Sequence, residues 1–165
     1  MVNRSMLLVL FWFVIFFLHA GQPVNAQPRK IPPFRILLTN NQLYKAENLP
    51  QGKPVLVLYF SVDCDHCKQL ITEMCHKMES LKKATVVMIT FYTVSETTLF
   101  SKQFNLSKFP NVIVGTENNE SFVRNYYQIV NTPYMALHDK DGNFMASFAK
   151  DIDLDLVVQR IDKLK

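Results

Sequence analysis

The sequence predicts an α/β domain, a three-layer sandwich in which a mixed sheet is flanked by helices. Three observations carry this. Short β-rich apolar runs alternate with segments whose apolar residues recur every three or four positions, and such alternation demands parallel strands joined by crossovers. Residues 55–60, Val-Leu-Val-Leu-Tyr-Phe, are continuously apolar, as in a strand buried on both faces. Asp141-Gly142 stands between two strand-like runs, a hairpin signal that adds an antiparallel edge.

The elements follow in order. Residues 34–38 suit an edge strand and 55–60 the buried one. From 64 to 82 the composition is helical, with Leu70, Ile71, Met74, Met78 and Leu81 at steps of three and four, and the pattern reads as one continuous helix. Residues 85–93 read as a strand, 95–104 as a helix, 111–114 as a short strand and 120–127 as a helix. Residues 134–138 and 143–148 flank the Asp141-Gly142 turn. A closing helix spans 152–164, with Ile152, Leu156, Val157 and Ile161 on one side.

Before this domain lies a segment of another kind. Arg4 precedes an unbroken apolar run over 6–18, and the small-residue sequence Val24-Asn25-Ala26 follows. A positive start, a short apolar stretch and small residues at a cleavage position are the parts of a secretory signal. The run falls short of the roughly 20 residues a bilayer-spanning helix needs. The expected organisation is therefore a signal peptide over 1–26, a Pro-rich linker over 27–33 and one domain over 34–165. An uncleaved N-terminal anchor, lengthened by His19 and Ala20, is the alternative.

Composition narrows the function classes. An aromatic content of 12% excludes a disordered chain, and only 4 Gly exclude collagen-like repeats. With 3 Cys the chain is no disulfide-dense miniprotein. The 18 basic residues exceed the 14 acidic ones only slightly and are scattered, so no nucleic-acid partner is expected.

The chemistry sits at Cys64-Asp65-His66-Cys67, directly after the buried strand and at the opening of a helix. Cysteines three apart at a helix start share a face at a spacing a disulfide accepts. Cys64 would occupy the helix end, where unpaired N–H groups and the helix dipole favour thiolate over thiol. Cys67, one turn in, would be shielded and suited to resolving a mixed disulfide. A structural disulfide or half of a zinc site is the competing reading. Cys75 lies eight residues past Cys67, about 12 Å along a helix, beyond bridging distance. It is expected to be an unpaired, packed side chain.

The segment Val-Leu-Val-Leu-Tyr-Phe-Ser-Val-Asp-Cys-Asp-His-Cys resembles the active-site stretch of the thioredoxin superfamily. Thr132-Pro133, just before the 134–138 strand, is a second landmark. The resemblance covers roughly residues 34–164 and is nearest to exported TlpA-like thioredoxins. It implies a thioredoxin-like fold, a redox-active Cys64–Cys67 disulfide, and a cis-proline at Pro133 beside the cysteine pair. Thr132 would then present its backbone to substrate. It further implies a periplasmic or secreted thiol–disulfide oxidoreductase, or an anchored one facing the periplasm. Its partners would be the thiols and disulfides of exported proteins plus a redox partner, with no cofactor. A membrane would be involved only if the N-terminal segment is not cleaved.

The chain departs from that pattern in places. Asp63 stands where the family often has tryptophan, Leu58 where thioredoxin has a buried acid, and Ala149-Lys150 where a glycine is usual. His66, before the second cysteine, is expected to tune the Cys64 thiolate, while Asp63 and Asp65 act in the opposite sense. His138 supports a rival class, a Cu(I)-binding metallochaperone of the same fold using Cys64, Cys67 and His138, a soft ligand set. Its family separates the cysteines by three residues, not two. A peroxidase reading would need proline at Val57 and threonine at Ser61. Two sequons, at Asn105 and Asn119, bear on function only in a eukaryotic secretory pathway.

Overall fold

A computed structural model describes residues 30–164. The proposed signal or anchor over 1–26, and residues 27–29 of the linker, lie outside them. Seven strands form one sheet: β1 (Arg35–Leu38), β2 (Leu43–Lys45), β3 (Val55–Tyr59), β4 (Thr85–Thr90), β5 (Val112–Thr116), β6 (Tyr134–His138) and β7 (Phe144–Ala149), in the order β2-β1-β5-β4-β3-β6-β7. The central strands β3, β4 and β5 are parallel, and the outer pairings are antiparallel. The expected mixed sheet flanked by helices is what the chain forms.

The helices are α1 (Asp65–His76), α2 (Met78–Leu81), α3 (Val94–Gln103), α4 (Phe122–Tyr126) and α5 (Leu154–Asp162). On one face of the sheet Leu56, Leu58, Val86, Met88, Met135 and Leu137 pack against Cys67, Leu70, Ile71 and Met74 of α1, Met78 and Leu81 of α2, Phe100 of α3, and Leu154, Val157 and Ile161 of α5. On the other, Val55, Val57, Tyr59, Val87, Ile89 and Ala136 meet Phe34, Leu49, Val123 and Tyr127. Strand side chains alternate between faces, so β3 and β4, buried at every position, serve both cores.

Three expectations need correction. Strand β1 is not an edge. Asn41 adopts a left-handed conformation (φ 64°), Asn40 Oδ1 accepts the Gln42 N–H at 3.1 Å, and the chain folds back to lay β2 outside β1. Gly115 lets β1 approach from the other side, since a Cβ there would stand 2.8 Å from the Leu37 carbonyl oxygen. The expected helix over 64–82 divides at Lys77 (φ −99°, ψ 14°). No proline or glycine marks the break, and the apolar spacing runs on across it. The strand expected over 85–93 stops at Thr90, because Thr93 and Glu96 form a capping box that starts α3. That shortening frees Phe91 and Tyr92 for the site.

Candidate active site

The site forms where β3 leaves the sheet. Cys64 is the N-cap of α1, with extended backbone (φ −82°, ψ 117°), and its sulfur accepts the Cys67 N–H at 3.1 Å. A cap normally offers an oxygen to this orphan donor; here a sulfur takes the place. The Cys64 N–H donates to the Ser61 carbonyl at 3.3 Å and so fixes the turn that delivers the cap.

The two thiols differ sharply. Cys64 is half-buried, whereas Cys67 is fully buried in the core against α1's neighbours. Burial, and then the neighbouring Cys64 sulfur, push the Cys67 thiol up to about 12, against weaker opposing contacts from the Ser61 main chain and the Thr132 side chain. The sulfur at the cap is therefore the more accessible of the two, and the inner sulfur is held as thiol.

Facing the pair is the turn before β6. Register Tyr59↔Tyr134 brings the start of β6 beside the end of β3. The Cys64 thiol donates to the Thr132 carbonyl at 3.6 Å, the Thr132–Pro133 peptide is cis, and Pro133 is buried. The cysteine pair, Thr132 and Pro133 thus meet in space. His66 is exposed on the first turn of α1 beside them, and the Asp65 carboxylate pairs with Lys68 at 3.2 Å.

The sequence profile of a thioredoxin-like domain matches residues 43–152, two thirds of the chain and all of this site. The chain belongs to the thioredoxin-like domain family. No curated protein sequence matches it. Among solved structures, this thioredoxin-like domain is similar to a secreted Mycobacterium tuberculosis disulfide oxidoreductase homologous to E. coli DsbE (17% identity, 80% of this chain and 96% of that one, TM-score 0.66). It is similar also to M. tuberculosis DsbF (17% identity, 81% and 96%, TM-score 0.68). Arabidopsis thaliana ScoI, solved with copper bound, matches with 18% identity over 79% of this chain and 94% of that one, TM-score 0.63. At such identities the likeness is one of fold.

His138 does not join the site, which corrects the copper reading. It pairs with Val55 at the far end of β3, four residues from the Tyr134 level, about 13 Å along a strand. It also points to the other face of the sheet. Its Nε2 stands 3.1 Å from the Tyr127 hydroxyl, in the core opposite the one that holds Cys67. A Cys64–Cys67–His138 ligand set would have to reach through the sheet. Cys75 is half-buried with its thiol 3.9 Å from the Phe104 carbonyl, on α1 but away from the pair.

Sequence reasoning missed Tyr92. Its hydroxyl donates to Asp63 Oδ2 at 2.6 Å and accepts from Ser61 Oγ at 3.3 Å, clamping the turn that carries Cys64. The Asp63 carboxylate raises the Tyr92 phenol above its ordinary value. The contact follows from the register Tyr59↔Ile89, which sets residues just past β4 beside those just past β3 and leaves no signal in the sequence. Glu117 was missed as well. Buried at the end of β5, it accepts the Tyr59 hydroxyl and the Val123 N–H, both at 2.7 Å.

Proposed function

We infer that the chain is an exported thiol–disulfide oxidoreductase that reduces or exchanges disulfides in other exported proteins through Cys64 and Cys67. The asymmetry of the pair carries this reading: one sulfur caps a helix at the surface, and the other is buried one turn below as a thiol. The secreted mycobacterial disulfide oxidoreductase of like fold, and mycobacterial DsbF, found in oxidised and reduced forms, are consistent with it. Export rests on Arg4, the apolar run over 6–18 and Val24-Asn25-Ala26.

The chemistry is a double displacement. The Cys64 thiolate attacks one sulfur of a client disulfide, forming a Cys64–client disulfide and releasing the client's other sulfur as a thiolate. Cys67 gives up its proton and attacks the Cys64 sulfur. That step closes the Cys64–Cys67 disulfide and releases the second client thiolate, so two electrons have passed to the client. The reverse sequence oxidises a client dithiol. Thr132 offers its main chain to the client's extended backbone beside the sulfur, and His66 tunes the cap sulfur. The reaction requires no cofactor.

Equilibration of the purified protein with glutathione buffers tests this. A single two-electron transition that joins Cys64 to Cys67 and leaves Cys75 free, mapped by mass spectrometry, is the expected result. Absence of a reversible Cys64–Cys67 disulfide across the accessible potentials would sink the reading.

A further inference from the structure

We propose that Arg124 is a positioning residue for the client, holding the loop on which the client's backbone lies. The proposal rests on the exchange reaction above and deepens it. The loop over 128–132 leaves α4 through Gln128 in a left-handed conformation (φ 54°) and runs to Thr132, beside the Cys64 sulfur. Ile129 is buried, whereas Val130, two residues before Thr132, is 80% exposed.

Arg124 holds this loop from below at several points. Its Nε donates to the Ile129 carbonyl at 3.2 Å and its Nη2 to the Val130 carbonyl at 3.5 Å, while its own carbonyl accepts the Ile129 N–H at 2.9 Å. Two successive carbonyls gripped by one guanidinium is an arrangement a lysine cannot copy, because only the planar fork presents two donors at fixed spacing. With those carbonyls turned toward Arg124, Asn131 is exposed and the Thr132 carbonyl meets the Cys64 thiol.

The same guanidinium reaches the aromatic pair that follows β4. It lies 5.9 Å from the Phe91 ring centre, Phe91 packs on Tyr92 at 4.7 Å, and Tyr92 donates to Asp63 beside Cys64. Below, the buried Glu117 carboxylate anchors the start of α4 through the Val123 N–H. Arg124 therefore sets the spacing between the sulfur and the loop without touching the sulfur. Its loss should weaken capture of an extended peptide and spare the cysteine chemistry itself.

Exchange kinetics of the full chain, re-reduced in each cycle by reduced glutathione, with two oxidised substrates test this: a disulfide-bridged peptide, which needs the loop, and hydroxyethyl disulfide, which has no peptide backbone. Arg124→Met is expected to lower kcat/KM for the peptide about tenfold, mainly through KM, with hydroxyethyl disulfide turnover and the glutathione redox potential unchanged within twofold. Arg124→Lys keeps charge and length, and so folds, yet should reproduce most of the peptide defect. Faster amide hydrogen exchange at Ile129, whose N–H donates to the Arg124 carbonyl, would accompany it in both variants. Equal losses on both substrates, or none in Arg124→Lys, would overturn the positioning role. An unaltered protein inert toward both substrates would overturn the exchange reading and this proposal with it.

Discussion

The thiol of Cys64 donates to the carbonyl oxygen of Thr132 across 3.6 Å, although the two lie 68 residues apart in sequence. This contact joins the cap of α1 to the turn before β6. Any chain that lies along Thr132 therefore passes within reach of the cap sulfur. It also explains why the antiparallel β3–β6 pairing matters for chemistry: β3 delivers Cys64, and β6, paired with β3 along its length, delivers Thr132 to the same end of the sheet.

Replacing Cys64 with serine should abolish exchange, and replacing Cys67 with serine should leave a long-lived mixed disulfide between Cys64 and the client. The buried Cys67 thiol, raised to about 12, stays protonated at neutral pH, so Cys64 alone meets external reagents. Alkylation at pH 7 followed by peptide mapping should label Cys64 well before Cys67. Equal labelling of the two would reverse the assignment of attacking and resolving roles.

Glu117 is an energetic anchor on the face away from the cysteines. It is 3% exposed and satisfies two donors, the Tyr59 hydroxyl and the Val123 N–H. Glu117→Ala leaves both buried donors unpaired and should cost about 2–5 kcal/mol, against about 1–2 kcal/mol for Glu117→Gln, which keeps one acceptor. Urea unfolding measures both. A cost below about 0.5 kcal/mol for the alanine variant would mean that water satisfies these donors.

The alternation of patterns made the fold class legible, because a strand buried on both faces and an amphipathic helix leave different periods in the sequence. Cys64 and Cys67 were legible for a related reason: their spacing acquires meaning only between a strand and a helix, and both neighbours were readable. What stayed hidden depends on groups far apart in the chain. The contact of Asp63 with Tyr92 is set by strand register, and the placement of His138 by sheet face and by which end of β6 approaches Cys64. Strand β2, three residues long and half exposed, has too little apolar pattern to announce itself.

His138 should make stability depend on acidity. It is fully buried, and burial lowers its imidazole from about 6.5 to about 4, outweighing nearby backbone groups and Asp139. Between those values the unfolded chain binds a proton that the folded chain does not, so stability rises with pH. The contribution is complete above pH 6.5 and lost as pH falls toward 4, on the order of 3 kcal/mol in all. His138→Phe should flatten this part of the profile, at the cost of an unpaired Tyr127 hydroxyl that shifts stability equally at each of these pH values. Parallel profiles for the two proteins would show that the imidazole takes its proton while folded.

His66 and Asp65 flank the cap sulfur's helix turn and should act on its potential with opposite signs. The oxidised pair carries no charge, whereas the reduced pair exposes Cys64 as the sulfur that bears negative charge during exchange. A donor or positive group beside it stabilises the reduced form, so His66→Ala should make the protein more reducing. Asp65→Asn removes a repulsive charge and should make it more oxidising. The second shift should be the smaller, because Lys68 already stands 3.2 Å from the Asp65 carboxylate and offsets part of its field. Since 30 mV corresponds to about 1.4 kcal/mol for a two-electron couple, shifts of about 10–40 mV are expected for exposed groups of this kind. Glutathione equilibration resolves them. Opposite shifts cannot come from general damage to the fold, which would move both variants the same way; common movement, or none, would leave His66 a solvated residue of the turn.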